Sequence, residues 1–240
     1  MPHTIAQLKS GQIPQVLRDE LGPFSIKAHN DHVAFLQKPG SYDVFGNRFA
    51  ASAGMYHPHP WSSSVFLLRT LLRDRPTLGK VLEIGCGSGA VGLSLLAHGL
   101  ADELVMTDID PESVRAARRN AVELGLQERS TVLQGSMFEP VAGESFDSIV
   151  FNMPLMHSEH EGMRHAALDD PRGAVATAFL NQVTGFLASS GTAYVTFSNI
   201  SEPALLKEFS AKGKLALLAA EWVVETGFWL MVYRFKKFSE

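Results

Sequence analysis

The chain has 240 residues, a formal net charge of −4 at pH 7, 45% hydrophobic and 19% charged residues, and one cysteine. That is the balance of an ordinary globular chain long enough to bury a core, and a single cysteine rules out an internal disulfide, so the reading is cytoplasmic. No apolar run approaches the ~20 residues of a membrane span, and the acidic balance disfavours a phosphate-backbone partner.

In chain order, Ile5 to Leu21 shows broken helical periodicity, with Pro14 at a start or a kink. Val33 to Leu36 and Asp43 to Ala50 read as short strands around a turn at Lys38-Pro39-Gly40-Ser41. Residues 1–53 are taken together as an N-terminal lid or substrate extension, with a dimerisation arm, and hence a homodimer, as the alternative. Residues 54–240 form the catalytic domain in this reading.

From Ser62 the pattern changes. Ser62 to Leu72 reads as a helix, Val81 to Ile84 as a strand and Val91 to His98 as a helix. Glu103 to Thr107 is a strand, and Asp110-Pro111-Glu112 opens a helix that stops at Gly125. Thr131 to Gln134 and Phe146 to Asn152 are strands, Gly173 to Ala188 a helix, Thr192 to Ser198 a strand and Pro203 to Ala211 a helix. Leu215 to Glu225 and Phe228 to Phe235 read as two strands joined at Thr226-Gly227. Alternating strands and helices imply a parallel sheet covered on both faces, and the closing strand pair implies an antiparallel end. Such sheets bind ligands at the carboxyl ends of their strands.

The stretch Val81 to Gly92 places Gly85, Gly87, Gly89 and Gly92 between a strand and a helix, behind Glu83. Glycines there allow a sharp turn and a close backbone approach to a ligand. Asp108 ends the next strand, where a carboxylate can take two ribose hydroxyls. An acidic residue just before the glycines would repel a pyrophosphate but suits an ammonium. S-adenosylmethionine carries an ammonium, a ribose and an adenine.

Glu83-Ile84-Gly85-Cys86-Gly87-Ser88-Gly89 resembles the E/D-x-G-x-G-x-G motif of class I S-adenosylmethionine-dependent methyltransferases. Asp108-Ile109-Asp110-Pro111 resembles their second motif, and the resemblance runs from about residue 55 to residue 235. It implies an α/β, Rossmann-like fold with a seven-stranded, mostly parallel sheet, an antiparallel C-terminal strand hairpin and helices on both faces. It also implies roles. Glu83 and the backbone at Gly85 and Gly87 face the methionine part of the cofactor, Asp108 takes the ribose hydroxyls, and Ile109 lies on the adenine. Ser136 stands where many members place an aspartate against the adenine amine, leaving Met137 and Phe138 as apolar adenine contacts or as core.

Asn152-Met153-Pro154-Leu155 resembles the N-P-P-Y tetrapeptide of the amino-group branch that modifies adenine or glutamine amides. There the asparagine and the next carbonyl accept from the target nitrogen, which is catalysis by orientation. Met153 replaces a proline and Leu155 the stacking aromatic, which points away from a nucleobase and toward a small acceptor. Gly54 to Ser64 resembles a segment bordering the active site in the glutamine-methylating branch. In it Tyr56 and Trp61 could meet a sulfonium, and His57 and His59 are either bases or a solvated turn. No third ligand accompanies the two histidines, so no metal is expected. Met156 to Pro171 reads as a loop over the substrate, with His157 a base or an exposed side chain.

The expected function is methyl transfer from S-adenosylmethionine to the nitrogen or oxygen of a small molecule. Asn152, Tyr56 and His57 are its catalytic residues, Asn152 also touches the cofactor together with Gly89 of the glycine motif, and Trp61, Met153, Pro154 and His157 are its substrate contacts. Three alternatives remain open. One is cyclisation of S-adenosylmethionine itself to azetidine-2-carboxylate and methylthioadenosine. A second is methylation of a protein glutamine or of RNA. The third is a non-catalytic binding module.

Overall fold

A computed structural model describes residues 31, 33–58, 62–155, 168–201, 204–223 and 228–238. The expected helix over Ile5 to Leu21, and His59, Trp61, His157 and the Thr226-Gly227 turn, lie outside the described residues.

Early in the described residues is a helical turn over 33–36, where the Gln37 N–H reaches the Val33 carbonyl at 3.2 Å. The strand expected there is therefore corrected: four apolar residues do not distinguish the two states. Strands β1 (Gly40–Val44) and β2 (Asn47–Ala51) pair antiparallel. Their turn is Phe45-Gly46, with φ of +50° and +82°, not Lys38 to Ser41. Two consecutive left-handed residues match the right-handed twist of the flanking strands. Asp43 Oδ1 holds the turn by accepting from the Gly46 N–H at 3.0 Å.

The remaining elements are α1 (Ser63–Asp74), β3 (Gly79–Ile84), α2 (Ala90–Ala97), β4 (Ala101–Asp108), α3 (Pro111–Glu123), β5 (Ser130–Gln134) and β6 (Phe146–Phe151). They are followed by α4 (Ala174–Phe186), β7 (Leu187–Ser198), α5 (Ala204–Lys212), β8 (Gly213–Val223) and β9 (Phe228–Lys237). Sequence dictates the boundaries locally. The Ser62 side chain caps α1 through the Val65 N–H. Asp110 caps α3 through the N–H groups of Glu112 and Ser113, with Pro111 in the first turn.

The large sheet has the order β5-β4-β3-β6-β7-β9-β8, and pairs are parallel up to β7 and antiparallel through β9 and β8. Each face carries its own apolar layer. On one, Leu67 and Leu71 of α1, Leu93 and Leu96 of α2 and Ala117 and Ala121 of α3 pack with Val81 and Val150. On the other, Phe179 and Leu180 of α4 and Leu205 and Phe209 of α5 pack with Leu82 and Ile149. Fully burying each such leucine or phenylalanine contributes roughly 1.5–3 kcal/mol. This is the expected three-layer α/β fold.

The small hairpin joins the first layer. Val44 and Phe49 lie in that core, and the Asn120 amide of α3 bonds the main chain of Ala50 in both directions, at 3.0 and 3.1 Å. The same Nδ2 donates to the Ser88 carbonyl at 2.8 Å, so α3, the hairpin and the glycine-rich stretch are pinned together.

Candidate functional site

From β3 the chain winds outward through β4 to β5, then crosses back to place β6 on the other side of β3. A crevice opens at such a reversal, outside the carboxyl ends of the strands. Ile84 and Phe151 are register partners there, so the stretch from Gly85 and the tetrapeptide from Asn152 start side by side.

On the β3 side the main chain makes the site. Gly85, Gly87 and Gly89 have φ of +63°, +54° and +78°. A Cβ on Gly87 would stand 3.2 Å from the Tyr56 carbonyl oxygen, and one on Gly89 2.9 Å from Leu93 Cδ1. Only glycine combines that conformation with that closeness. Asp108 braces the loop: Oδ2 accepts from the Gly87 N–H at 2.8 Å and Oδ1 from the Asp110 N–H at 2.9 Å. Burial raises its pKa despite these bonds. Glu83 is buried, and its Oε2 accepts from the Gly92 N–H of α2 at 2.9 Å. Burial pushes this carboxyl up from 4.5 to about 8, with the Gly92 bond opposing and the nearby Asp108 charge adding to the rise.

Beside the loop, Ile109 is 68% exposed at the end of β4, an apolar side chain left open where the adenine was expected. Ser136 and Met137 follow β5, Met137 with φ +46° and its carbonyl accepting from the Thr107 hydroxyl at 3.0 Å. Phe138 is buried, stacked between Phe179 and Phe186 at centroid distances of 5.8 and 4.4 Å. Of its two sequence readings the core one holds.

On the β6 side, side chains make the site. The Thr196 hydroxyl of β7 donates to Asn152 Oδ1 at 3.1 Å, and Asn152 Nδ2 approaches Tyr56 Oη at 3.5 Å. Tyr56 Oη in turn shares a hydrogen bond with Ser64 Oγ at 3.2 Å. Met153 is buried with its side chain in the core, and Pro154 and Leu155 are half-buried. The structure thus brings Asn152, Tyr56 and the glycine loop together.

His57 is placed differently from a free base. It is 4% exposed, between the rings of Phe35 (4.7 Å) and Tyr42 (5.3 Å), with Nδ1 on the Met55 carbonyl at 3.0 Å. Burial lowers its pKa. Tyr42 continues the cluster by sharing a 2.7 Å hydrogen bond with Ser88 of the glycine loop.

Sequence reasoning missed Thr196, Asn120 and Tyr42. The first two carried a signal: each is a polar residue among mostly apolar neighbours, on β7 and on the inner stripe of α3. Such a residue needs partners, and these have them.

The profile of the family described as "Methyltransferase small domain" matches residues 47–216. A release factor glutamine methyltransferase of Aquifex aeolicus is 32% identical over 120 residues, 49% of this chain and 42% of that protein. A ribosomal RNA small subunit methyltransferase C of Salmonella choleraesuis is 36% identical over 115 residues, 47% of this chain and 31% of that protein. The chain therefore spans less than half of either relative. Among solved structures, M. capricolum TrmK in complex with S-adenosylhomocysteine superposes with a TM-score of 0.54 at 11% identity, over 72% of this chain and 69% of that one, a likeness of fold.

These relatives correct two expectations. Their names specify macromolecular acceptors, a release factor and a ribosomal RNA, where the sequence reading had a small molecule and disfavoured nucleic acid. The small-molecule inference rested on the missing aromatic at Leu155, but a glutamine amide is planar, small and needs no stacking partner. The charge inference rested on a whole-chain sum, which describes no single face. Among the described residues no helix is long and apolar enough to cross a membrane. With the profile spanning most of its length, the chain belongs to the methyltransferase small domain family, enzymes of the class I S-adenosylmethionine-dependent methyltransferase type.

Proposed function

We propose that the chain methylates the side-chain amide nitrogen of a glutamine in a protein. The observation that carries this reading is the Asn152 carboxamide, fixed at the carboxyl end of β6 by Thr196 and Tyr56, next to the glycine loop. S-adenosylmethionine, when bound, supplies a methyl group on a sulfonium, already a good electrophile with a neutral leaving group. The left-handed glycines, the exposed Ile109, the buried Glu83 and the half-buried Asp108 fit its backbone approach, its adenine and its charge.

What the protein must add is orientation. Asn152 Oδ1 uses one lone pair on Thr196 and keeps the other for an amide N–H of the acceptor. The Met153 carbonyl takes the second N–H. Held at both hydrogens, the nitrogen turns its lone pair toward the methyl group, and the proton leaves after transfer without a strong base. His57 serves this reading as packing for the wall made by Tyr42 and Phe35.

A protein amide is favoured over a nucleobase by Leu155, which offers no ring to stack on. The second reading, an exocyclic amino group in RNA, is supported by the Salmonella relative. One experiment separates them. The chain is incubated with methyl-labelled S-adenosylmethionine and a cell extract, which is then split and treated with protease or ribonuclease. Label lost only to protease, and mapped to a glutamine by mass spectrometry, supports the proposal. Label lost only to ribonuclease replaces it with the RNA reading. Methylthioadenosine formed with no extract present would mean cyclisation instead.

A further inference from the structure

At the opposite end of the sheet from the glycine loop lies a polar cleft of about 390 Å³. Its floor is one sheet face. Thr192 and Tyr194 alternate along β7, Ser148 of β6 is the register partner of Thr192, and Arg234 of β9 that of Tyr194, with Lys236 two residues on. Residues two apart on a strand share a face. Farther along, the same face carries Val81, Val150 and Val232 beneath α1 and α2. Helix α1 stops at Asp74, and Arg75 takes φ +46° before the chain turns into β3. The floor changes from aliphatic to hydroxyl and cationic side chains where the helical cover ends.

A solvated strand end would explain exposed polar residues. It does not explain why these residues line a single cleft on one sheet face. Ser148, Thr192 and Tyr194 are 2%, 7% and 6% exposed; their hydroxyl oxygens are not sealed in, and among the described residues none of them meets a hydrogen-bond partner. Arg234 and Lys236 form no ion pair among the described residues. One carboxylate, Asp147, also lines the cleft; its Oδ2 accepts from the Lys80 N–H at 2.9 Å, a neutral donor that leaves one acidic group facing the two cations. Asp74, whose charge reaches Tyr194, pairs with Arg73. The cleft thus gathers two cations, one carboxylate and these three O–H donors around one space, with the cations in excess.

We propose that this cleft binds a phosphate monoester or inorganic phosphate, at a site separate from the methyl-transfer crevice. A guanidinium fork and an ammonium match a compact dianion, and hydroxyls donate to its remaining oxygens. A nucleic-acid strand needs a stripe of cations along its path, and here there are two in a confined space.

The test uses the full chain at fixed ionic strength. Inorganic phosphate, then glycerol 3-phosphate, is titrated by calorimetry and followed by phosphorus NMR. Saturable binding is expected, weakened about tenfold in Arg234→Ala and in Lys236→Ala, and several-fold in Thr192→Val. Arg119→Ala, on exposed α3 surface, leaves it unchanged. Affinity for S-adenosylhomocysteine stays constant in every variant, which separates loss of this site from loss of fold. If Arg234→Ala disturbs the fold, Lys236→Ala and Thr192→Val decide. The proposal is overturned by no saturation up to about 10 mM, or by equal weakening in Arg119→Ala. It is also overturned if an oligoribonucleotide lacking terminal phosphates displaces inorganic phosphate better than glycerol 3-phosphate does.

Discussion

The two sides of the crevice start from register-paired residues, Ile84 and Phe151, and are built in different ways. After β3 the main chain forms the surface. Three left-handed glycines shape it, and one carboxylate, Asp108, ties its Gly87 N–H to the Asp110 N–H that follows β4. After β6 a single side chain, Asn152, is held by partners 44 residues ahead and 96 residues behind. The first side is set by local sequence, the second by tertiary contacts. Cofactor binding and catalysis should therefore separate under mutation.

The largest effect is expected at Asp108. Removing its carboxylate releases the Gly87 and Asp110 N–H groups and takes away the ribose acceptor proposed for it. Two charge-assisted bonds to the ribose at roughly 1.5–3 kcal/mol each imply a loss of S-adenosylhomocysteine affinity of roughly a hundred- to ten-thousandfold in Asp108→Ala. Calorimetry measures it, and an unchanged affinity would sink the assignment of the glycine side to the cofactor.

Asn152→Ala tests the other side. Cofactor affinity should stay within about twofold, while the rate of methyl transfer to the protein fraction falls about a hundredfold, the usual effect of deleting one orienting group at a reacting centre. A parallel fall in cofactor affinity would erase the contrast between the two sides. Thr196→Val sharpens it further. The hydroxyl touches Asn152 alone of the site residues, so the loss should appear in kcat, about tenfold, and Thr196→Ser should restore it. A KM effect with constant kcat would make Thr196 a packing residue.

The same contrast explains what could be read from the sequence. The glycine motif, Asp108 and the capping at Asp110-Pro111 were legible because backbone sterics and helix-end bonding demand those residue types at those positions. The element order was legible because α1 through β9 follow clear periodicities. The short segment before Ser62 was less so. Val33 to Leu36 is too brief to show a period, and the hairpin turn sits at Phe45, a residue rarely left-handed. The roles of Thr196 and Asn120 were not legible, because a hydroxyl or an amide finds its partner only once β6, β7, α3 and the hairpin are side by side. His57 shows the converse: its residue type suggested a base, and only the packing of Phe35 and Tyr42 around it reveals a buried ring.

The smallest expected effect, a fraction of a proton, lies at Glu83. Burial holds its carboxyl up to about 8 from an ordinary 4.5, so between those values the folded chain keeps a proton that the unfolded chain has released. Stability from this group is then full at low pH and is lost as pH rises through that window. Glu83→Gln keeps an oxygen for the Gly92 N–H but cannot titrate, so the slope of melting temperature against pH should flatten between pH 5 and 8. Binding a cationic amino acid group near Glu83 would favour its charged form, and the wild-type chain should release part of a proton when S-adenosylhomocysteine binds at pH 7. Calorimetry in buffers of different ionisation enthalpy reads that fraction, and Glu83→Gln should abolish it. If the variant releases as much as the wild type, Glu83 is no counter-ion for the cofactor. Its bond to Gly92 would then be its whole role, anchoring the start of α2 behind the glycine loop.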